Sequence, residues 1–410
     1  MGLYCGIDWA TAHHDVAVVD ADGRVVARGR VGNDAAGFAK LLTLLAEAGD
    51  SPADPIPVAI ETDRGLWVAA LRATGGRIYP INPLAASRYR SRYAVSGAKS
   101  DATDAVLLAN IIRTDPDAHR PLPADTNLAP AIRVLARAQQ DAVWARQQIG
   151  NQIRDLLKDF SPAALVACAE LPSGGPAGTD ARTILAAAPT PAQAAKLTPT
   201  RLRKLLIKAG RRRNLDRDVE RLRQVFTDTY LHQPPVVENA MGIQLSTLLR
   251  QFDAACTAAD ELAEAAITHF EQHPDAAIIT SFPGLGSLAR ARVLAEIGDD
   301  RGRFADARGL KAFAGSAPIT RASGKKTVVL HRHITNRRLT AVGSIWAVAS
   351  LRGSPGARRH HDTRRAAEDW NRQPQRHLFN KFLGQLHHCL QTGQLYHEHL
   401  AFPPPLTLAA

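Results

Sequence analysis

Between residues 3 and 31 short apolar runs alternate with turn signals: LYCGID, then VAVVD, then ADG, then RVVARGRV. This spacing predicts three strands joined by tight turns, with Asp22-Gly23 as a hairpin signal. Residues 38–48 change to helical spacing, with Phe38, Leu41, Leu42, Leu45 and Ala48 on one stripe. VAIE (58–61) and RIYPI (77–81) predict two further strands around a helix. If a helix begins at Ser100, then Asp101, Asp104, Ala105, Leu108 and Ile112 share a single face. From Ala129 to about His273 the strand pattern vanishes. Leu128, Leu135, Ala142, Ile149 and Leu156 recur in steps of seven, Ile132 and Ile153 fill the alternate position, and Gln139 and Arg146 interrupt it. This predicts a long amphipathic hairpin or a short coiled coil. Pro, Gly, Ala and Thr accumulate over roughly 171–200, which predicts an exposed loop or insertion. In 278–350, IITSFPGLG leads into a helix ending near Ile297-Gly298. The turn-rich SAPITRASGKK and the strand-like TVVLHRHI follow.

A meander followed by strand and helix alternation is the layout of an α/β ribonuclease-H/RuvC-like domain, predicted here for residues 1–125. Residues 126–275 are then a helical, coiled-coil connector, 276–402 a basic, mixed but mostly α C-terminal domain, and 403–410 a disordered tail. The 410 residues, 45% hydrophobic and 22% charged, suffice for several such globular units.

Charge sharpens this division. The net charge of +12 points to a polyanionic partner, and residues 290–381 alone hold 20 Lys or Arg against 7 Asp or Glu. The N-terminal domain is therefore not the basic one. The segment RLRKLLIKAGRRRNLDRDVERLR (201–223) is also basic and helical, and is either a solvated face or a nucleic-acid contact. Cys5, Cys168, Cys256 and Cys389 are widely separated, which argues against a disulfide framework or a zinc knuckle and for a reducing cytoplasm. No signal peptide or membrane-spanning apolar run is read from the sequence, so the expected location is cytoplasmic and nucleoid-associated, with no membrane partner.

The candidate chemistry is carried by acids. Asp8 ends the first strand, on the side opposite Cys5 and Ile7, and Glu61 ends VAIE in the same way. Asp101 and Asp104 lie on an inward helix face, where a carboxylate is costly unless something pairs with it. Acids at a helix N-terminus explain Asp101 well and Asp104 less well. Four carboxylates from two strands and one helix suit hard ions such as Mg²⁺ or Mn²⁺, and two such ions clamp the oxygens of a phosphoryl transfer. Arg321-Ala322-Ser323-Gly324-Lys325-Lys326 is a basic turn that would expose a hydroxyl beside neutralised phosphate; on the residues alone it is a phosphate-contacting loop or a nucleophile.

These residues resemble the DEDD transposases of the insertion sequence one-ten type, the bridge-RNA-guided recombinases. The resemblance rests on GIDWA, VAIET, KSDATDA, SFPGLG, LAEIGD and LKAFAGSAP with RASGKK behind it, in the family's order. It implies that Asp8, Glu61, Asp101 and Asp104 are a metal-binding catalytic tetrad and Ser323 the catalytic serine of a C-terminal transposase domain. It further implies DNA ends and target as substrates, a guide RNA, and a homo-oligomer, dimer to tetramer, in which one protomer's serine completes another's carboxylate site. Arg321, Lys325, Lys326, Arg332, Arg337 and Arg338 are the expected nucleic-acid contacts.

Other signals have plainer readings. Phe282-Pro283-Gly284-Leu285-Gly286 is a phosphate-receiving hairpin or a plain interhelical turn. His331-x-His333, His387-His388 and His397-x-His399 lack the partners and spacing of a zinc site. Trp67, Trp144, Trp346 and Trp370 are expected to be core or interface anchors. Two rivals stand beside a recombinase. GIDWATAHHDVAVVDADG resembles the first phosphate loop of actin-like sugar kinases, though Trp9-Ala10 occupies the glycine position. A non-catalytic nucleic-acid-binding protein is the other.

Overall fold

The computed structural model describes residues 2–93, 101–172, 174–324, 326–370 and 372–403, without the side chains of Tyr93, Asp101 and Ala102. The chain forms two compact units, Met1–Ala124 and Asp125–Ala410.

The first unit is a mixed α/β layer around one sheet. Its elements in order are β1 (Tyr4–Trp9), β2 (His13–Val19), β3 (Val25–Gly32), α1 (Ala35–Ala48), β4 (Val58–Ile60), α2 (Leu66–Ala73), β5 (Ile78–Pro80), α3 (Pro83–Tyr93) and α4 (Asp101–Thr114). The strand order is β3-β2-β1-β4-β5; β1 to β3 are antiparallel, whereas β4 and β5 run parallel to β1. Gly23 turns the β2–β3 hairpin at φ +83°, a left-handed conformation that glycine adopts without strain. Alternation divides the sheet residues between two faces. Cys5, Ile7, Val16, Val18, Val58 and Ile60 pack with Leu41 and Leu45 of α1 and Trp67, Val68 and Leu71 of α2. The opposite face, at Ala59, packs with Ala86 of α3 and with Leu108, Ile111 and Ile112 of α4. Leu42 was expected on the buried stripe of α1 but is exposed, while Leu44 packs beside Phe38. At roughly 100° per residue the stripe centres on Leu41 and Leu45, which leaves Leu42 about a quarter turn off axis.

The second unit is mostly helical. Two long helices, α5 (Leu128–Phe160) and α11 (Pro235–Glu271), form its spine. They are antiparallel, because Gln139 meets Ala259 (Nε2 to carbonyl oxygen, 3.4 Å) whereas a Cβ on Gly150 would lie 3.3 Å from Phe252. The predicted hairpin is present; its interruption at Gln139 is buried, with the side chain hydrogen-bonded to Ala259 and to Arg292. Around one end of the spine pack α6 (Pro162–Ala169), α7 (Thr179–Ala187), α8 (Pro191–Ala195), α9 (Pro199–Lys208) and α10 (Leu215–Thr227). From Thr179 onward the stretch 171–200 is mostly helical and partly buried rather than one exposed loop. Ala181, Ile184, Leu185 and Ala194 are core residues, and the Thr and Pro that suggested a loop instead start helices: Thr190 caps Pro191–Ala195 in a reciprocal box with Gln193.

Around the other end pack α12 (Ala276–Thr280), α13 (Ser287–Ile297), α14 (Ala307–Phe313), α15 (Arg337–Gly353), α16 (Pro355–Ala366), α17 (Gln373–Thr392) and α18 (Glu398–Ala401). Between α14 and α15 stands an antiparallel hairpin, β6 (Ile319–Ser323) with β7 (Lys326–Leu330). The Phe282–Gly286 turn is packed against α15. Gly284 has φ +79°, a Cβ there would lie 2.3 Å from the Ser350 nitrogen, and Trp346 donates its indole N–H to the Pro283 carbonyl at 2.9 Å. Among the described residues no helix is long and apolar enough to cross a membrane.

Candidate active site

The register of the sheet fixes the first two acids. β1 and β4 pair in parallel up to Ile7 opposite Ile60, so Asp8 and Glu61 are the next residues on adjacent strands, at the same C-terminal edge. Asp8 falls by alternation on the face that carries Gly6, the face covered by α4, and Glu61 is the bend residue just past Ile60.

Glycine at position 6 lets α4 come down onto β1. A Cβ there would lie 2.0 Å from the Ala105 carbonyl oxygen and 2.5 Å from the Ala109 nitrogen, so no side chain fits. The helix direction follows from its far end. Arg113 donates to the Ala21 carbonyl at 3.0 Å, in the turn that follows Val19, and Val19 pairs with Tyr4 at the start of β1. The C-terminus of α4 therefore lies at the start of β1, and its first turn, with Asp101 and Asp104, lies at the strand end that carries Asp8. Asp104, Ala105, Leu108 and Ile112 are buried, as the single-face reading expects. The Asp101 backbone opens α4, whereas its side chain, like Lys99 and Ser100, lies outside the described residues.

Two arginines and a fifth acid complete the picture; the sequence reading singled out none of them. Asp104 is 4% exposed and accepts from Arg90 of α3, with Nε at 3.0 Å and Nη2 at 2.7 Å. Asp15 stands opposite Asp8 on β2 and is itself opposite Arg30 on β3, which binds it through two hydrogen bonds of 3.0 and 2.9 Å. A row of charges, Asp8, Asp15 and Arg30, thus crosses three strands, with Glu61 just past the end of the neighbouring β4. Strands lie about 4.8 Å apart, and like charges directly opposite repel, so the row requires cations. Arg30 supplies one for Asp15 and Arg90 one for Asp104. The alternation of HHDVAVV was a legible signal for Asp15; nothing local in RYRSRY marked Arg90.

Behind the row, His14 is fully buried and packed edge-on against Trp67 with ring centroids 4.2 Å apart. It accepts the Ala10 N–H at Nδ1 (3.2 Å), so the neutral ring carries its proton on Nε2, toward Asn33 Oδ1 at 3.3 Å. Burial pushes its pKa below the ordinary imidazole value and outweighs the Asn33 contact. The imidazole therefore braces the turn that follows Asp8. Among the described residues no group of three His, Cys, Asp or Glu side chains is arranged to hold a metal ion, and none of the three histidine pairs forms one.

In the second unit Ser323 is the last residue of β6 and pairs with Lys326 across a turn at Gly324, φ +56°. The segment expected as a flexible turn is a strand up to this serine. Arg321, two residues before it, and Lys326, opposite it, share its face of the hairpin, and all three are exposed. Lys325 lies outside the described residues. Arg332 donates to the Ala317 carbonyl at 3.4 Å, and Arg337 opens α15 exposed. Arg338 is engaged inside the unit, bonded to Asp141 at 2.6 Å and lying 4.8 Å over the Trp144 ring. Nearby, Glu296 is buried. Burial raises its pKa, but hydrogen bonds from Arg137 and Asn336 outweigh that and hold it below the usual carboxylate value.

Comparison with known proteins identifies the family. Residues 5–162 match the DEDD transposase family of the IS110 type, and residues 276–362 match the transposase IS116/IS110/IS902 family. The chain is 59% identical over 408 residues to the "Mini-circle putative transposase for IS117" of Streptomyces coelicolor, covering 100% of this chain and 98% of that protein. It is 30% identical over 343 residues to an uncharacterized 44.8 kDa protein of insertion element IS116 of Streptomyces clavuligerus, covering 82% of each. With an uncharacterized 42 kDa protein of IS900 from Mycobacterium paratuberculosis it shares 27% identity over 403 residues, 96% of this chain and 97% of that one. The central sheet and the mostly helical remainder are consistent with a DEDD nuclease-like fold, and the kinase reading is not favoured. The chain belongs to the IS110/IS116 family of transposases.

Proposed function

We propose that this chain is the recombinase of an insertion sequence. It would cut and exchange DNA strands with a divalent metal held by Asp8, Glu61, Asp101 and Asp104 of a ribonuclease-H/RuvC-like unit, and with Ser323 as nucleophile. The observation that carries the reading is the common strand end. Parallel register brings Asp8 beside Glu61, and the antiparallel run of α4 over Gly6 brings its acidic first turn to that edge.

The donor types suit a hard ion, because they are all carboxylate oxygens, and Asp104 would have to exchange its Arg90 partner for the ion. Mg²⁺ or Mn²⁺ bound there would supply Lewis-acid polarisation of a phosphoryl oxygen. The chain's own residues do the rest. Ser323 Oγ forms the bond to phosphorus and gives up its proton, while the bond from phosphorus to a deoxyribose oxygen breaks and that oxygen gains a proton. Arg321 and Lys326, on the serine's own face, neutralise the phosphate, and Arg332 and Arg337 add contacts to the nucleic-acid backbone. The resemblance to bridge-RNA-guided recombinases supports a structured guide RNA and a homo-oligomer as partners.

The test is adduct trapping on DNA that carries the element ends. Ser323→Ala should abolish the covalent protein–DNA adduct yet bind DNA within about twofold of wild type. Asp104→Asn and Asp101→Asn should abolish metal-dependent strand breakage while the fold persists. An adduct that survives Ser323→Ala removes the serine from the mechanism, and wild-type breakage by either Asn variant removes the metal assignment.

A further inference from the structure

Trp370, expected to anchor a core or an interface, is no core residue: it is 84% exposed. It stands on the rim of a cavity of about 510 Å³ in the second unit, bounded by the end of α14, by α15, by the first turns of α17 and by His331 at the base of the β6–β7 hairpin. That volume lies within the range of small-molecule sites, roughly 300–1,000 Å³.

The lining is divided by chemistry. Its floor is the buried Phe379 ring, pressed so closely on α15 that a Cβ on Gly343 would lie 2.2 Å from it. The rim carries the Trp370 indole and the guanidinium groups of Arg372 and Arg376, where α17 begins. His331 lies 3.5 Å from Arg376. An aromatic face for a base, an apolar floor and two cations for the flanking phosphates are the parts of a single-strand nucleic-acid platform.

The hairpin sets the distance to Ser323. From Leu330, at its base, to Lys326, opposite Ser323, are four strand steps, roughly 13 Å at 3.3 Å each. This equals about four base rises of a stacked strand at 3.4 Å. We propose that this cavity holds one unstacked nucleotide of the DNA strand whose phosphate Ser323 attacks, a few positions from that phosphate. The inference rests on the recombinase reading for its strand, but not for its pocket.

Full-length protein is titrated with a mixed-sequence single-stranded 20-mer carrying 2-aminopurine, with the same strand as a duplex, and with the RNA of the same sequence. Trp370→Ala should weaken binding of the DNA single strand roughly 5- to 100-fold and abolish the extra quenching of 2-aminopurine. Duplex binding should change by less than about twofold, Trp370→Phe should restore most of the loss, and Arg372→Gln should weaken the single strand several-fold. Because the indole is exposed, these changes leave the core intact, which a thermal melt checks. Wild-type affinity and quenching in Trp370→Ala would overturn the pocket while adduct formation at Ser323 remained untouched. A Trp370-dependent preference for the RNA would overturn the assignment to DNA. Failure of the wild-type protein to bind either DNA probe would overturn the pocket together with the nucleic-acid role of this unit.

Discussion

Gly6 is the point at which the fold and the proposed chemistry can be perturbed together. A methyl group at this position meets the Ala105 oxygen at 2.0 Å and the Ala109 nitrogen at 2.5 Å, and both are backbone atoms inside a helix. Ordinary contact begins near 3.4 Å, so Gly6→Ala requires α4 to lift off β1 by roughly 1 Å or more. Overpacking of this kind costs about 1–3 kcal/mol, which for a unit of this size lowers the melting temperature by about 4–12 °C. The same displacement moves Asp101 and Asp104 away from the edge that carries Asp8 and Glu61. A misplacement of about 1 Å at a catalytic constellation can cost on the order of 100-fold in rate. The assay is a melt of the first unit within the full chain, followed through Trp67, together with Mg²⁺-dependent strand breakage at a temperature where the variant is folded. Gly76→Ala is the control, because a Cβ there meets only Thr74 Oγ1 at 3.5 Å. If Gly6→Ala melts and cuts like wild type, α4 does not position the acids and the common strand end loses its meaning.

Three further outcomes follow from the charges. Arg90→Gln leaves Asp104 buried without its cation and should destabilise the metal-free first unit by about 1–3 kcal/mol; added Mg²⁺ or Mn²⁺ should restore that loss in a melt, and its failure to do so would argue that the acids do not bind the ion. Folding lowers the pKa of His14, so the unfolded chain takes up its proton first and stability contributed by the neutral ring is lost as pH falls below 6.5; Trp67 fluorescence should report this step, and a flat response between pH 7 and 5 would refute it. Folding also lowers the pKa of Glu296 and that of Asp299 after α13, where burial raises it but hydrogen bonds from Thr126 and His273 outweigh that, so their contribution is complete above their ordinary values of 4.5 and 3.8 and disappears as pH falls through the lower folded values; hydrogen exchange should therefore show the α13 region opening at more acid pH than the His14 turn.

What the sequence revealed and what it hid follow from how local each cause is. The meander, the Asp22-Gly23 turn, the placement of Asp8 and Glu61 at strand ends and the inward face of Asp104 depend on periodicities of two and 3.6, which a single chain displays. The helical hairpin at 128–273 was visible for the same reason. The helices within 179–200 were hidden because Thr-Pro and Gly serve as both loop formers and helix starters, and only the apolar residues between them, buried against α9 and α10, decide. Arg90 and Arg30 were invisible because each pairs with an acid 14 or 15 residues away through the packing of separate elements. That Trp370 lies outside the core was hidden because an aromatic residue in sequence carries no sign of whether the same chain covers it.

The buried Gln139 has a mechanical consequence for the long helices. Sliding α11 along α5 by a single turn would still bury aliphatic side chains against aliphatic side chains, at small cost. It would also separate the buried amide from the Ala259 carbonyl of α11. One buried amide thus favours this register of the two helices over one shifted by a turn, as a lone polar residue in an apolar seam does.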